Sequence, residues 1–159
     1  MRKAILILAG LAILAFVNFG IYRSERLLTE GRIVFLRLSP VDPRSLMQGD
    51  YMRLNFEVAD RAFPAIASVP KADGHVVVFL DPHNIARFRR FADGRPLGPG
   101  EIALRYRIRG GRANFATDAY FFEEGRAKDL AGAAFGAFRV GADGDMILTG
   151  LRGPRLEPL

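Results

Sequence analysis

From Ala4 to Tyr22 the chain reads AILILAGLAILAFVNFGIY, nineteen residues without a charge and with Asn18 as the one strongly polar side chain. As a helix rising 1.5 Å per residue, such a run reaches about 28 Å, close to the ~30 Å hydrocarbon thickness of a bilayer. A core helix of a soluble protein would carry a polar face, and this run has none. A cleaved signal peptide shares the Arg2-Lys3 start, but the small-x-small sites available to it are poor: Asn18-Phe19-Gly20 is weak and Gly10-Leu11-Ala12 falls inside the apolar run. Tyr22, Arg23 and Arg26 supply the interfacial anchors expected where a helix leaves lipid. The expected organisation is therefore a retained transmembrane anchor at 1–22, a polar and helical connector at 23–31, and one folded domain at 32–159.

Arg2 and Lys3 argue for a cytoplasmic N-terminus, whereas Arg23, Arg26 and Arg32 pull against that bias. A short basic stub before a first apolar segment is how exported single-pass proteins commonly begin. The expectation is a single-pass bacterial inner-membrane protein with its C-terminal domain in the periplasm. Of 23 basic residues only Lys3, Lys71 and Lys128 are lysine, and the net charge of +6 suits a neighbour of anionic lipid. With no cysteine there is no disulfide framework, thiolate metal site or cysteine nucleophile.

Beyond the anchor the dominant period is two. Arg32 to Leu38 is a first β-type run, and Pro40 to Asp50 is turn chemistry. From Tyr51 to Val58, Met52, Leu54, Phe56 and Val58 alternate with polar or aromatic neighbours, which predicts a half-buried strand. His75 to Leu80 and Glu101 to Arg109 are further strands, the latter setting Ile102, Leu104, Tyr106 and Ile108 against Arg105, Arg107 and Arg109. Asn114 to Phe122 reads as a strand and Glu124 to Ala134 as a short helix. Two last strands flank Gly141-Ala142-Asp143-Gly144 as a hairpin. The fold class expected is mainly β, an antiparallel sheet or open β-barrel behind an N-terminal transmembrane helix.

The most specific string is Gly49-Asp50-Tyr51-x-x-Leu54-x-Phe56. Together with Tyr120-Phe121-Phe122-Glu123-Glu124-Gly125 and the closing Asp143-Gly144 hairpin, it resembles the bacterial family named for its GDYxxLxY motif, over residues 26 to 152. Phe56 stands where that motif has its last tyrosine. The resemblance implies a small membrane-anchored protein and brings no reaction with it. Physically, Gly49 can take a positive φ, Asp50 can hydrogen-bond the turn amides, and Leu54 and Phe56 can fill the core. Tyr51, on the opposite face, is a candidate binding residue. The motif and possible binding face is Gly49, Asp50, Tyr51, Leu54, Phe56, Tyr120, Phe122, Glu124 and Gly125.

Catalytic chemistry finds little support. Ser45-Leu46-x-x-Gly49-Asp50 weakly resembles a type I signal peptidase segment, yet Val41 stands where the nucleophilic serine belongs and no lysine sits in a partner motif. Asp42, Asp50, Glu57, Glu123 and Glu124 are candidate carboxylates that the sequence alone does not bring together. His75 and His83, with Asp81 between, match no standard metal spacing. Arg105, Arg107 and Arg109, with Arg112 nearby, are candidate anion-binding residues for phosphate head groups or an acidic partner. No cofactor and no nucleic acid is expected, since no glycine-rich phosphate loop or dinucleotide fingerprint is present. The leading expectation is a noncatalytic, membrane-anchored accessory domain that contacts another membrane protein or the envelope surface through the Tyr51 face and the arginine comb, with the bilayer itself held through residues 4–22; the family resemblance implies a polytopic inner-membrane protein as the first such partner. The alternative is a ligand-binding or hydrolytic domain using the Asp50/Tyr51 turn.

Overall fold

The computed structural model describes residues 2–39, 51–64, 72–110, 112–117, 119–123 and 127–159. The apolar run forms the front of one 29-residue helix, α1 (Arg2–Glu30), so residues 23–30 of the polar connector are the helix's own last turns. Steps of 100° per residue scatter Leu11, Ile13, Leu14 and Phe16 around its whole circumference, and all four are exposed. Residues Ile7–Glu30 are long and apolar enough to cross a membrane, and the most apolar stretch within them has no residue buried in the body. A helix apolar on every side has its complement outside the folded domain.

Gly31 alone separates α1 from the first strand, β1 (Arg32–Arg37). Next come β2 (Tyr51–Arg53), α2 (Glu57–Ala62), β3 (Gly74–Leu80), β4 (Ala86–Phe91), β5 (Glu101–Arg109) and β6 (Arg112–Asn114). The chain closes with β7 (Ala119–Phe121), the short α3 (Ala127–Leu130), β8 (Phe135–Val140) and β9 (Met146–Arg152). Strands run β1-β8-β9 in one sheet, β4-β3-β5-β6 in a second and β2-β7 in a two-stranded ribbon. The ladders are antiparallel, and among the described residues a single parallel bridge, Phe35 to Ile85, joins the first two sheets. On the other flank the Arg105 N–H donates to the Gly144 carbonyl (2.9 Å), so the tip of the β8–β9 hairpin rests on β5. The result is a mainly β body, a sheet curled into a half-barrel.

Alternation explains what fills it. Val34 and Leu36 of β1, Val76 and Val78 of β3, and Leu104 of β5 are fully buried on the concave side. Phe138, from β8, meets them there, and each such side chain withdrawn from water stabilises the fold by about 1.5–3 kcal/mol. Tyr106 is buried too, its ring edge-on to Phe63 at 5.2 Å, and burial first, then the nearby Asp73 charge, raises its phenol above the usual range.

Three sequence expectations change. Met52, Leu54, Phe56 and Val58 are all buried, but the strand ends at Arg53, and Val58 sits in α2 together with the buried Ala62 at helical spacing. The run 114–122 is two strands, broken where Ala116 takes φ +55° and the Thr117 N–H turns back to the Phe115 carbonyl. The helix expected over 124–134 is confined, among the described residues, to Ala127–Leu130.

Candidate functional site

The two sequence motifs meet. Tyr51 on β2 lies directly across from Phe121 on β7, Met52 across from Tyr120 and Arg53 across from Ala119. The Tyr51 and Phe121 rings stand on the outer face, 5.9 Å apart and tilted by 41°, with Phe121 75% exposed. Met52 is buried on the inner face, and Tyr120 and Phe122 are half-buried against the core. Leu54 and Phe56 also point inward, Phe56 meeting the Phe138 ring edge-on at 5.4 Å. A hydroxyl at position 56 would therefore lie inside the core, and phenylalanine suits the place it occupies. Gly49, Asp50, Glu124 and Gly125 lie outside the described residues, as do Val41, Asp42 and Ser45.

The candidate histidines separate. His75 is the second residue of β3 and His83 lies in the turn beyond its far end, about 20 Å away along the strand direction. The His75 Nε2 lies 3.1 Å from the Asp143 carbonyl, and the His83 N–H donates to Asp81 Oδ1 (2.9 Å). Among the described residues no three metal-ligating side chains cluster.

A second cluster forms where α1 ends. Arg23 reaches Asp143 (2.5 Å) and Asp145 (2.6 Å), and Asp145 also accepts from Arg105 (3.1 Å). Arg139 on β8 donates to the Gly31 carbonyl (2.9 Å). Helix and hairpin tip are thus clasped by ion pairs that span 120 or more residues of sequence. Burial pushes the Asp143 carboxyl up, but the Asp145 N–H and the Arg23 guanidinium outweigh it and hold the group below the usual carboxylate range. The turn is built for this. Asp143 Oδ1 accepts the Asp145 N–H (3.1 Å), and Gly144 takes φ +80°.

The arginine comb runs outward from that clasp. Arg105 and Arg107 line a shallow cleft of about 250 Å³ with Arg23, Ser24 and Leu27. Arg109 faces Arg112 directly across the β5–β6 turn, and Arg107 faces Asn114. Arg105 has its charge met by Asp145, whereas Arg107, Arg109 and Arg112 have no carboxylate within ion-pairing distance among the described residues. Like charges opposed across an antiparallel pair are mutually unfavourable, which leaves this strip open to an anion from outside. Sequence reasoning identified the comb but missed Arg23, Asp143 and Asp145 as a unit. No local pattern announces a pair so distant in sequence.

Comparison with curated proteins and with solved structures finds no match for this chain. A protein-family model described as GDYXXLXY protein matches residues 13–151. That stretch takes in the second half of the apolar run, both strands of the aromatic ribbon and the closing hairpin. The chain belongs to the GDYXXLXY family.

Proposed function

We propose that this protein is a noncatalytic accessory domain, tethered to the bacterial inner membrane by α1 with its body in the periplasm, that works in lateral contact with a polytopic membrane protein. One observation carries the reading: α1 enters the body through Gly31 with no slack, and Arg23 is fastened to the hairpin tip. A tether whose task is only to retain a domain near a membrane needs no such clasp. A domain that must meet a neighbour embedded in the same bilayer does, because height and orientation are then part of recognition.

The geometry also sets a depth. If hydrocarbon ends at Tyr22, residues 23 to 27 of α1 lie about 1.5–8 Å beyond it. The head-group layer of one leaflet is itself about 5–8 Å deep. Arg105 and Arg107, beside Ser24 and Leu27, then stand among phosphates, and the comb steadies the body on the membrane. Tyr51 and Phe121 supply rigid, amphipathic contact area for the partner.

Co-purification from mild detergent, with and without crosslinker, should recover a polytopic membrane protein, and Tyr51→Ala with Phe121→Ala should reduce its yield. Recovery of no partner under either condition would sink the proposal. A reporter fused after Leu159 that is active only in the cytoplasm would overturn the orientation.

A further inference from the structure

The edge of β1 that does not pair with β8 faces β4. Among the described residues the two strands share one bridge, Phe35 to Ile85, with the Phe35 N–H donating to the Asn84 carbonyl (2.9 Å). Past that point the ladder stops, and α2 packs against both strands. The wedge left between them is a cleft of about 530 Å³, within the range of small-molecule sites.

Its lining is uneven in charge. Arg37 from β1, Arg61 from α2 and Arg87 from β4 converge on it from three separate elements, against one carboxylate, Glu57. Glu57 lies 3.1 Å from Arg61 and 3.6 Å from Arg37, so it is the cleft's internal counter-anion. Arg37 is held in place by stacking 4.8 Å from the centre of the Phe135 ring. Among the described residues Arg87 has only Asp81, at 3.9 Å, and Asp81 already accepts the His83 and Ile85 N–H groups. The floor is apolar: Val58 and Ala86 are buried, and Phe88 is half-buried.

We propose that this cleft binds a small soluble organic oxyanion, a phosphomonoester or dicarboxylate, whose apolar part rests on the Val58, Ala86 and Phe88 floor. Its charged end takes the Arg61 and Arg87 guanidiniums, whose planar donor forks match carboxylate and phosphate oxygens. Excess positive charge over Glu57 selects a ligand with two negative charges. The reading is independent of any membrane partner, because the clasp and the aromatic ribbon contribute no residue to the cleft.

Titration calorimetry on the full chain in nonionic detergent tests it, with phenyl phosphate and inorganic phosphate as probes. Saturable binding is expected for both and tighter for phenyl phosphate. Arg61→Ala and Arg87→Ala, both at exposed side chains, should each weaken binding by about tenfold. Glu57→Gln should strengthen it by removing the competing carboxylate, and Arg155→Ala, at an exposed residue outside both the cleft and the arginine comb, should leave it unchanged. The proposal falls if neither probe saturates at millimolar concentration, or if Glu57→Gln weakens binding. It falls equally if Arg155→Ala costs as much as Arg61→Ala, which would mark bulk electrostatics. Binding confined to phosphatidylglycerol vesicles, with none to the soluble probes, would overturn it in favour of a lipid surface.

Discussion

Replacing Gly144 by alanine should destabilise the body more than the same change at any open turn glycine. Gly144 has φ +80°, and an alanine held there costs about 1–2 kcal/mol in backbone strain. The new Cβ would also stand 2.9 Å from His75 Cδ2, 3.1 Å from the Ala103 carbonyl oxygen and 3.2 Å from the Arg105 nitrogen. The imidazole can rotate, but the two backbone atoms belong to a paired strand and cannot. Relief therefore means lifting the hairpin tip and stretching the 2.9 Å bond from the Arg105 N–H to the Gly144 carbonyl. Losing that bond adds about 0.5–1.5 kcal/mol, for a sum of about 1.5–3.5 kcal/mol. Gly94 is the matched control, since its φ is +81° but nothing lies within 4 Å of its Cβ position, so Gly94→Ala carries the backbone cost alone. With central values of about 2.5 and 1.5 kcal/mol and roughly 4 °C per kcal/mol for a domain of this size, Gly144→Ala should lower the melting temperature by about 10 °C and Gly94→Ala by about 6 °C. Thermal unfolding of the full chain in mild detergent, followed by circular dichroism, reads both. Equal losses would refute the tip-on-strand packing, because only close approach distinguishes the two sites.

Two predictions concern pH. A hydrogen bond from the Arg95 side chain, opposed by some desolvation and aided by the Arg95 N–H and nearby charges, lowers the Asp93 carboxyl from 3.8 to about 2. Because the folded-state value is the lower one, the stabilisation is complete above the ordinary value and vanishes as pH falls through the depressed one. Carboxyl-resonance NMR should place its midpoint near 2, and a midpoint at the ordinary value of 3.8 would dissolve the pairing. Asp143 is likewise depressed, so the helix clasp should hold from neutral pH down to the ordinary aspartate range and open below it. Spin labels at Ser24→Cys and Ala142→Cys, in a chain without native cysteine, report the separation. A distance that changes between pH 6 and 8, or that stays put after Asp143→Asn at neutral pH, would contradict the clasp.

What was legible in the sequence was whatever depends on near neighbours. Strand β5 alternates from Leu104 to Arg109, and its burial follows that pattern there. The hairpin turn carries its own chemistry in Asp143 and Gly144. Strand β4 was not legible, because the register slips between Val77 and Val78, where Val77 pairs with Arg90 and Val78 with Phe88. Arg89 is the extra residue of that bulge, and it breaks the alternation on which a reader depends. Helix α2 was hidden for the opposite reason: the alternation of Met52, Leu54 and Phe56 continues by coincidence to Val58, whose burial comes from helical spacing with Ala62. The cleft arginines were invisible in kind, since Arg37, Arg61 and Arg87 share no spacing and meet only through the splay of β1 from β4.

The motif residues divide by the same physics. Leu54 and Phe56 are accounted for by burial, and any large apolar side chain of their shape would serve the core nearly as well. Tyr51 has no such account: its ring meets Phe121 outside the core, and its hydroxyl has no hydrogen-bond partner among the described residues. The clasp shows how one residue can answer to both descriptions. Asp143 closes a local turn, which a reader of the hairpin sees, and fastens Arg23, which no reader of the hairpin can see. Because its partners come from opposite ends of the chain, α1 acquires its angle to the body only after Asp145 has been made and the hairpin has folded onto β5. Orientation of the body against the helix is therefore a property of the completed fold rather than of the helix. A chain ending before β8 would keep the apolar run and lose the angle.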